Sequence, residues 1–184
     1  MQWIATSACN LTCPHCYSSA GARAEGELSA DEVERLVVDE LVALGGPMFV
    51  IAGGEALLRK DIGRIVATAH ARGLRWSVHT HGGLIERRRE LFAAHPPALA
   101  AVSLDGPREL HDRFRGREGS FDAALAAVGI LKAAGCGKVV LGTTVTRLNA
   151  DRLSEMFPTV LASGAGGASS PAAGRPASRG WSRC

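Results

Sequence analysis

Short apolar runs alternate with segments of helical periodicity along residues 1–160. Five runs have the length and apolar content of buried strands: residues 4–7, 48–52, 75–79, 98–104 and 138–145. Between them, apolar residues recur at helical spacing, and the face of the first helix comprises Val33, Leu36, Val37, Leu41 and Leu44. This alternation predicts an α/β fold built on a parallel sheet, with about five βα units.

Local signals place the ends of the helices. Ser29 and Glu32 form a capping box that opens the first helix, and Gly45-Gly46-Pro47 ends it. Asn149 is expected to cap the last helix, and Pro158 is expected to kink or split it. Three further helices are predicted between these two, over residues 62–73, 86–94 and 121–134.

Polar and glycine-rich segments follow each predicted strand. In order they are the cysteine segment, Gly53-Gly54-Glu55, residues 80–83, Asp105-Gly106 with Ser103 just before it, and residues 146–149. Because the carboxyl ends of parallel strands lie at one edge of the sheet, these five segments should meet there. The chemistry of the protein is therefore expected at this edge.

Three cysteines near the start of the chain carry the most specific chemistry. Cys9, Cys13 and Cys16 are spaced so that three soft thiolates converge on one centre. Iron–sulfur clusters are usually held by four cysteines, so a cluster held by these three would keep one iron open for a reactant. A zinc site that adds His15, or a disulfide with a spare thiol, is the alternative, although adjacent His15 and Cys16 make joint tetrahedral ligation awkward.

Composition is that of an ordinary globular enzyme domain. The chain has 184 residues, 46% of them apolar, and a net charge of +3, which is too small to indicate nucleic-acid binding. No signal peptide and no membrane-spanning run are recognisable, so a cytoplasmic protein with reduced thiols and no membrane partner is expected. Cys136 and Cys184 stand alone, and Cys136 is expected to be a small buried residue.

The ordered motifs resemble those of the radical S-adenosylmethionine (radical SAM) superfamily. The resemblance rests on Cys9-x3-Cys13-x2-Cys16, Gly53-Gly54-Glu55 and Ser103-Leu104-Asp105-Gly106. The segments at residues 111–121 and 143–149 are similar to those of the subgroup with a C-terminal auxiliary-cluster (SPASM) domain. That subgroup includes maturases of peptide and cofactor precursors and haem-modifying enzymes. The resemblance implies a partial (βα)6 TIM-like barrel.

The resemblance also implies the cofactors and the reaction. Cys9, Cys13 and Cys16 would hold a [4Fe–4S] cluster, and S-adenosylmethionine would bind its open iron. Reductive cleavage of S-adenosylmethionine would give a 5′-deoxyadenosyl radical that abstracts hydrogen from a peptide or small-molecule precursor. A reductant such as flavodoxin or ferredoxin is the implied electron donor.

The resemblance carries over to single residues around S-adenosylmethionine. Gly53 and Gly54 would let the backbone approach its methionyl group, and Glu55 would lie near its ammonium group. Glu55 could instead be a carboxylate at a helix N-terminus. Ser103 and Asp105 would contact the ribose, although Asp105-Gly106 also suits a plain turn.

Several residues near these motifs depart from the family pattern or have no assigned role. Ala56 replaces the usual proline after the Gly-Gly-Glu motif, and His81 replaces the usual asparagine after the third strand. His79 is interpreted as a core or edge histidine, and His81 as structural. Two groups of residues are rich in arginine, residues 87–89 and the set Arg113, Arg115 and Arg117. Both groups are interpreted as solvated faces, with binding of an anionic substrate as the alternative.

The C-terminal segment has a different composition. Of the 22 residues from 163 to 184, 17 are Gly, Ala, Ser or Pro, and no apolar period is present. Such a segment is expected to be disordered, either as the end of a truncated or frameshifted reading frame or as a natural flexible tail. The predicted organisation is an incomplete core at residues 1–162 and a disordered tail at residues 163–184. A cluster-binding module without catalytic activity is therefore the alternative function.

Overall fold

A single parallel sheet organises the chain in the computed structural model, which describes residues 1–46 and 48–171. The six strands of this sheet lie in sequence order, and every neighbouring pair is parallel. They are β1 (Gln2–Ile4), β2 (Phe49–Ala52), β3 (Trp76–Thr80), β4 (Leu99–Ser103), β5 (Val139–Val145) and β6 (Gly166–Pro171). The predicted α/β class and parallel sheet are confirmed.

Helices connect the strands and cover one face of the sheet. Within the described residues they are α1 (Ala30–Val33), α2 (Asp39–Ala43), α3 (Ile62–Ala71), α4 (Arg89–Ala94), α5 (Arg108–Arg115), α6 (Ser120–Ala133) and α7 (Phe157–Ser163). Short 3₁₀ segments precede or join them at Ala56–Leu58, Glu86–Arg88 and Ala150–Met156. Pro158 lies in the first turn of α7, where the helix changes from 3₁₀ to α, so the predicted split is confirmed.

The hydrophobic core lies between this helical layer and the sheet. Trp76 and Val78 are alternate residues of β3, and both side chains face the helices. The ring of Trp76 stacks on that of Phe92 in α4, with 6.0 Å between the ring centroids. Ile65 of α3 is completely buried in the same cluster. Because alternate residues of a strand face opposite sides, the other face of the sheet stays available to a site.

The first helix buries a different set of apolar residues from the set that the sequence pattern predicts. A π-helical segment at Glu34–Val38 joins α1 to α2, and its wider turn shifts the residues that follow around the helix axis. As a result Val38 is completely buried, whereas Leu36 and Leu44 are 45% and 80% exposed. Their expected place on the core face is therefore wrong, since spacing counted at 3.6 residues per turn fails across a π turn.

The sixth strand was not predicted from the composition. β6 pairs with β5 from Val140↔Gly166 to Val145↔Pro171, inside the segment expected to be disordered. Backbone pairing needs no large side chains, so a strand of Gly, Ala and Ser carries no apolar signal. The five predicted βα units are present and one further strand follows them, so the disorder expected at Gly166–Pro171 is corrected. Residues 172–184, including Cys184, lie outside the described residues, as does Pro47.

Two smaller differences concern the neighbourhood of the predicted site. β1 ends at Ile4, three residues before the end of the predicted strand, so residues 5–7 belong to the loop that follows. Helix α5, which immediately follows the turn after β4, was not predicted. Across the described residues, no helix combines the length and apolar character needed to traverse a membrane.

Because of the π-helical segment, we expect Val38→Ala to lower the free energy of unfolding more than Leu36→Ala does, the reverse of the order that the sequence pattern predicts. Val38→Ala should lower the free energy of unfolding by about 2 kcal/mol, because two fully buried methyl groups are lost and a cavity remains. Leu36→Ala should cost less than about 1 kcal/mol, because this side chain is largely at the surface. Urea denaturation of both variants measures the difference. A larger loss for Leu36→Ala would contradict the observed helix geometry.

Candidate functional site

The loop between β1 and α1, residues 5–29, carries the three clustered cysteines and is here called the cysteine loop. Its neck is closed by a bridge between Ala8 and Gly21, in which the Cys9 amide donates to Gly21 O at 2.9 Å. The Gly21 amide donates in turn to Ser7 O at 2.9 Å. The structure therefore places Cys9, Cys13 and Cys16 together on one closed lobe.

The three thiols are free and half-buried, but their environments differ. Burial raises the pKa of Cys9 and of Cys13 above the usual value for a thiol. Burial acts in the same direction on Cys16, but hydrogen bonds from Ser18 and from the Ala20 amide outweigh it and lower the pKa of this thiol. Cys16 is therefore the thiol of the three that ionises most easily.

The described residues contain no preformed site for a single metal ion. Within residues 1–46 and 48–171, no three His, Cys, Asp or Glu side chains lie close enough to hold one metal ion. A cluster at Cys9, Cys13 and Cys16, and the zinc alternative that adds His15, both stay predictions.

The glycines that follow β2 lie directly against the cysteine loop. The Gly54 amide donates to Thr6 O at 2.7 Å, and the Glu55 amide donates to Ala8 O at 2.8 Å. A Cβ atom on Gly53 would lie 2.5 Å from Thr6 O, and one on Gly54 would lie 2.3 Å from Ala8 O. Gly53 also has a φ of 137°, which side chains disfavour. Glycine is therefore required here by the loop itself.

Glu55 is a completely buried carboxylate at the end of β2. It accepts hydrogen bonds from Thr80 Oγ1 at 2.8 Å and from the His81 amide at 3.1 Å, which ties β2 to the end of β3. It also accepts from the Leu57 amide at 3.2 Å, and so caps the 3₁₀ segment Ala56–Leu58. The interpretation of Glu55 as a carboxylate at a helix N-terminus is thus one part of its role.

His81 links this carboxylate to the cysteine loop. Its Nδ1 accepts from the Gly83 amide at 3.0 Å, so the proton of the neutral ring is on Nε2. Nε2 lies 2.9 Å from Asn10 Oδ1 and 3.1 Å from Glu55 Oε2. Burial lowers the pKa of His81, which keeps the ring neutral. The residue holds Asn10, next to Cys9, in place, as its structural interpretation requires.

Glu27 holds the cysteine loop from within. Its carboxylate accepts from Thr6 Oγ1 at 2.8 Å, from the Ser7 amide at 2.9 Å, from the Ala24 amide at 3.2 Å and from Arg23 Nε at 2.9 Å. Burial alone would raise its pKa, but these hydrogen bonds lower it to about 2. No sequence pattern singles out Glu27, because its hydrogen-bond partners are brought together only by the folded loop.

Asp105, at the end of β4, is the third carboxylate that anchors the loop. It is completely buried, and its Oδ2 accepts from Arg115 Nε at 2.8 Å and lies 2.6 Å from Arg115 Nη2. Oδ1 accepts from the Thr144 amide at 3.0 Å, and His15 Nε2 lies 3.6 Å from Oδ2. Burial raises the pKa of Asp105, but His15, Arg115 and Thr144 outweigh burial and hold it at about 2.

The main chain of Asp105 is held as firmly as its side chain. Its amide donates to His111 Nδ1 at 3.0 Å, and its carbonyl accepts from Asn149 Nδ2 at 2.7 Å. Burial lowers the pKa of His111 to about 4, so the ring is neutral and carries its proton on Nε2. Asn149 thus anchors the turn after β4, and its side chain does not cap the helix that follows it.

Some arginines of the two arginine-rich groups are exposed to solvent, and others form hydrogen bonds within the protein. Arg113, Arg117, Arg87 and Arg89 are exposed, as a solvated face requires. In contrast, the side chain of Arg115 is only 12% exposed, and Arg88 donates to Leu57 O and Arg59 O. The interpretation is therefore wrong for these two. Sequence spacing could not single out Arg115, because its partner Asp105 is ten residues away, beyond the other end of helix α5, which was not predicted.

The open face of the sheet carries His79 and Ser103. His79 lies on β3, between two neighbouring strands, and its side chain is exposed, so neither a core nor an edge position describes it. It pairs with Ala101, two residues before the half-buried Ser103, so both side chains point to the same face. Since Trp76 and Val78 of β3 face the hydrophobic core, this is the face of the sheet opposite the helical layer.

Comparisons with known proteins agree with this arrangement. The profile of the radical SAM superfamily matches residues 3–157. The chain is 38% identical over 157 residues to Fe-coproporphyrin III synthase of Methanosarcina barkeri, covering 84% of this chain and 39% of that protein. It is 39% identical over 159 residues to the mycofactocin maturase MftC of Mycobacterium tuberculosis, covering 84% and 40%. The chain therefore spans about two fifths of the length of these relatives.

The fold is similar to that of solved structures with low sequence identity to this chain. Streptococcus suis SuiB bound to S-adenosylmethionine superposes with a TM-score of 0.81 at 16% identity, over 96% of this chain and 41% of SuiB. SuiB bound to its precursor peptide SuiA superposes with a TM-score of 0.76 at 16% identity, over 94% and 39%. The similarity confirms the predicted TIM-like barrel type.

We expect a side chain at Gly54 to disturb the cysteine loop directly. Gly54→Ala should lower the free energy of unfolding by about 1–3 kcal/mol, since its Cβ would overlap Ala8 O. Exchange of the Glu55 amide, which donates to Ala8 O, should become faster in the variant. Gly63→Ala in α3 is the matched control, because its Cβ meets no atom within 4 Å and should stabilise the helix by up to about 1 kcal/mol. Equal effects of both substitutions would refute the close approach.

We expect His111 to make stability depend on pH. Its pKa is about 4 in the folded chain and near 6.5 when unfolded, so its contribution is fully present above pH 6.5 and is lost as the pH falls toward 4. The free energy of unfolding should drop by about 1.4 kcal/mol per pH unit on its account. His111→Asn keeps an acceptor for the Asp105 amide but cannot titrate. Denaturation between pH 4 and 7 should show a shallower dependence for this variant, and parallel curves would contradict the assignment.

Proposed function

Because this chain belongs to the radical SAM superfamily, we propose that Cys9, Cys13 and Cys16 bind a [4Fe–4S] cluster that activates S-adenosylmethionine. The single observation that carries the proposal is the closed lobe, which presents three free, half-buried thiols beside the carboxyl ends of β2 and β4. Soft thiolates are the ligands that such clusters require.

The proposed reaction depends on keeping one iron free of protein ligands. A cluster held by Cys9, Cys13 and Cys16 would supply the electron for reductive cleavage of S-adenosylmethionine, and with it the radical chemistry for hydrogen abstraction from the substrate. The protein binds and orients the reactants and excludes water. Its three thiolates leave the fourth iron available, and the anchoring carboxylates keep the lobe in one conformation.

The residues proposed to lie around S-adenosylmethionine are those at the strand ends. Gly53, Gly54 and Glu55 adjoin the cysteine loop, which supports a place for the methionyl group beside them. Ser103 is half-buried on the open face, which suits a contact with the ribose. A ribose contact by Asp105 also stays a prediction; its carboxylate is completely buried and already accepts from Arg115 and the Thr144 amide.

The proposed substrate is a peptide or a cofactor precursor. Relatives that share 34–39% identity with this chain include haem synthases and mycofactocin maturases, and SuiB binds a precursor peptide. Together they support a substrate larger than a simple metabolite. A small reductant such as flavodoxin or ferredoxin is the proposed electron donor. A cluster-binding module without turnover is the second candidate.

Anaerobic reconstitution tests the proposal. We expect about four iron and four sulfide per chain, and formation of 5′-deoxyadenosine on reduction with S-adenosylmethionine. Each of Cys9→Ala, Cys13→Ala and Cys16→Ala should abolish cluster uptake, because two thiolates do not hold the cluster firmly. Cys136→Ala is the control, since this thiol precedes β5 and so lies at the amino-terminal ends of the strands, away from the cysteine loop.

The outcomes separate the two candidate functions. Cluster uptake without 5′-deoxyadenosine would favour the module over the enzyme. Zinc in stoichiometric amount, with no iron or sulfide in protein purified without oxygen, would refute both.

A further inference from the structure

One guanidinium group connects a buried carboxylate to a cysteine sulfur. Arg115 uses Nε and Nη2 on Asp105 Oδ2, at 2.8 and 2.6 Å. Its remaining nitrogen, Nη1, lies 3.8 Å from Cys13 Sγ, within the range for a hydrogen bond to sulfur. Among the three arginines near the end of α5, Arg113 and Arg117 are exposed and only Arg115 is nearly buried.

Asp105 is held too firmly to let the guanidinium turn. Its other oxygen accepts from the Thr144 amide, and its main chain bonds with His111 and Asn149. The guanidinium is planar with donors in a fixed fork. When two of its nitrogens are fixed on Asp105, the direction of the third is therefore set as well, and it faces Cys13.

The end of α5 touches the cysteine loop at the same point. Gly116, which ends the helix, has a φ of 63°, and a Cβ atom there would lie 2.7 Å from Thr12 Oγ1. Thr12 immediately precedes Cys13. This contact is independent of the Arg115 side chain, and it shows that the helix and the loop pack directly against each other.

We propose that Arg115, oriented by Asp105, is a positioning residue that holds Cys13 in place and donates a hydrogen bond to its sulfur in the loaded protein. The inference rests on the proposed cluster. A cationic donor beside a ligand sulfur stabilises the more negative, reduced state, so Arg115 raises the reduction potential of the cluster. The residue thus adjusts the driving force for electron transfer without touching the substrate.

The reduction potential of the loaded 184-residue chain provides the first test. The double variant Asp105→Asn/Arg115→Gln removes both charges together, and so leaves no unpaired buried carboxylate that would unfold the protein. Its equilibrium constant for cluster reduction should fall about tenfold, which lowers the potential by about 59 mV for one electron. Arg113→Gln, on the same helix but exposed, should keep the wild-type potential. Spectroscopically monitored redox titration measures all three proteins.

Hydrogen exchange of the metal-free chain provides a second test that needs no cluster. The Cys16 amide donates to Cys13 O at 3.1 Å, so its exchange reports the position of Cys13. In the double variant this amide should exchange about tenfold faster, while the Cys9 amide, which bonds to Gly21, keeps its rate. If the wild type takes up no cluster, the proposed function fails and this measurement alone decides the inference. Unchanged Cys16 exchange, or an unchanged potential in a loaded double variant, would overturn it.

Discussion

Three carboxylates hold the cysteine loop, and the geometry of the whole candidate site depends on them. A loop that spans residues 5–29 with a single bridge has no ladder of strand bonds to fix its backbone. Glu27 holds it from within, Glu55 holds it through His81, and Asp105 holds it through Arg115 and His15. An ionised carboxylate accepts several strong hydrogen bonds at once, so each one joins segments that are distant in sequence.

The parallel sheet determines where these anchors lie. Because the strands follow sequence order, the end of β2 with Glu55 is next to β1, where the loop begins, and backbone contacts through Gly54 suffice. The end of β4 with Asp105 is two strands farther, and the distance is bridged by the long side chain of Arg115 from α5. One edge of the sheet therefore supports the loop from two sides.

Burial of these charges has an energetic cost that is offset only when every partner is present. A buried ion pair contributes little net stability, but the loss of one partner is strongly destabilising. Asp105 meets this condition with Arg115, Thr144 and His15, and the neutral rings of His81 and His111 add hydrogen bonds without adding charge. The site thus uses its polar network for geometry, while the apolar layer between sheet and helices provides most of the stability.

The amino-acid sequence was enough to predict the parallel α/β fold, strands β2 to β5, the three cysteines and the edge where they meet the Gly53-Gly54-Glu55 segment, because apolar periodicity and the alternation of strands with helices are local signals. The remaining features depend on contacts between segments that are distant in the sequence. Strand β6 forms through backbone hydrogen bonds, which a run of small residues does not predict. The π-helical turn places Val38 in the core instead of Leu36. The role of Arg115 likewise depends on Asp105 and Cys13, which long-range packing brings to one guanidinium.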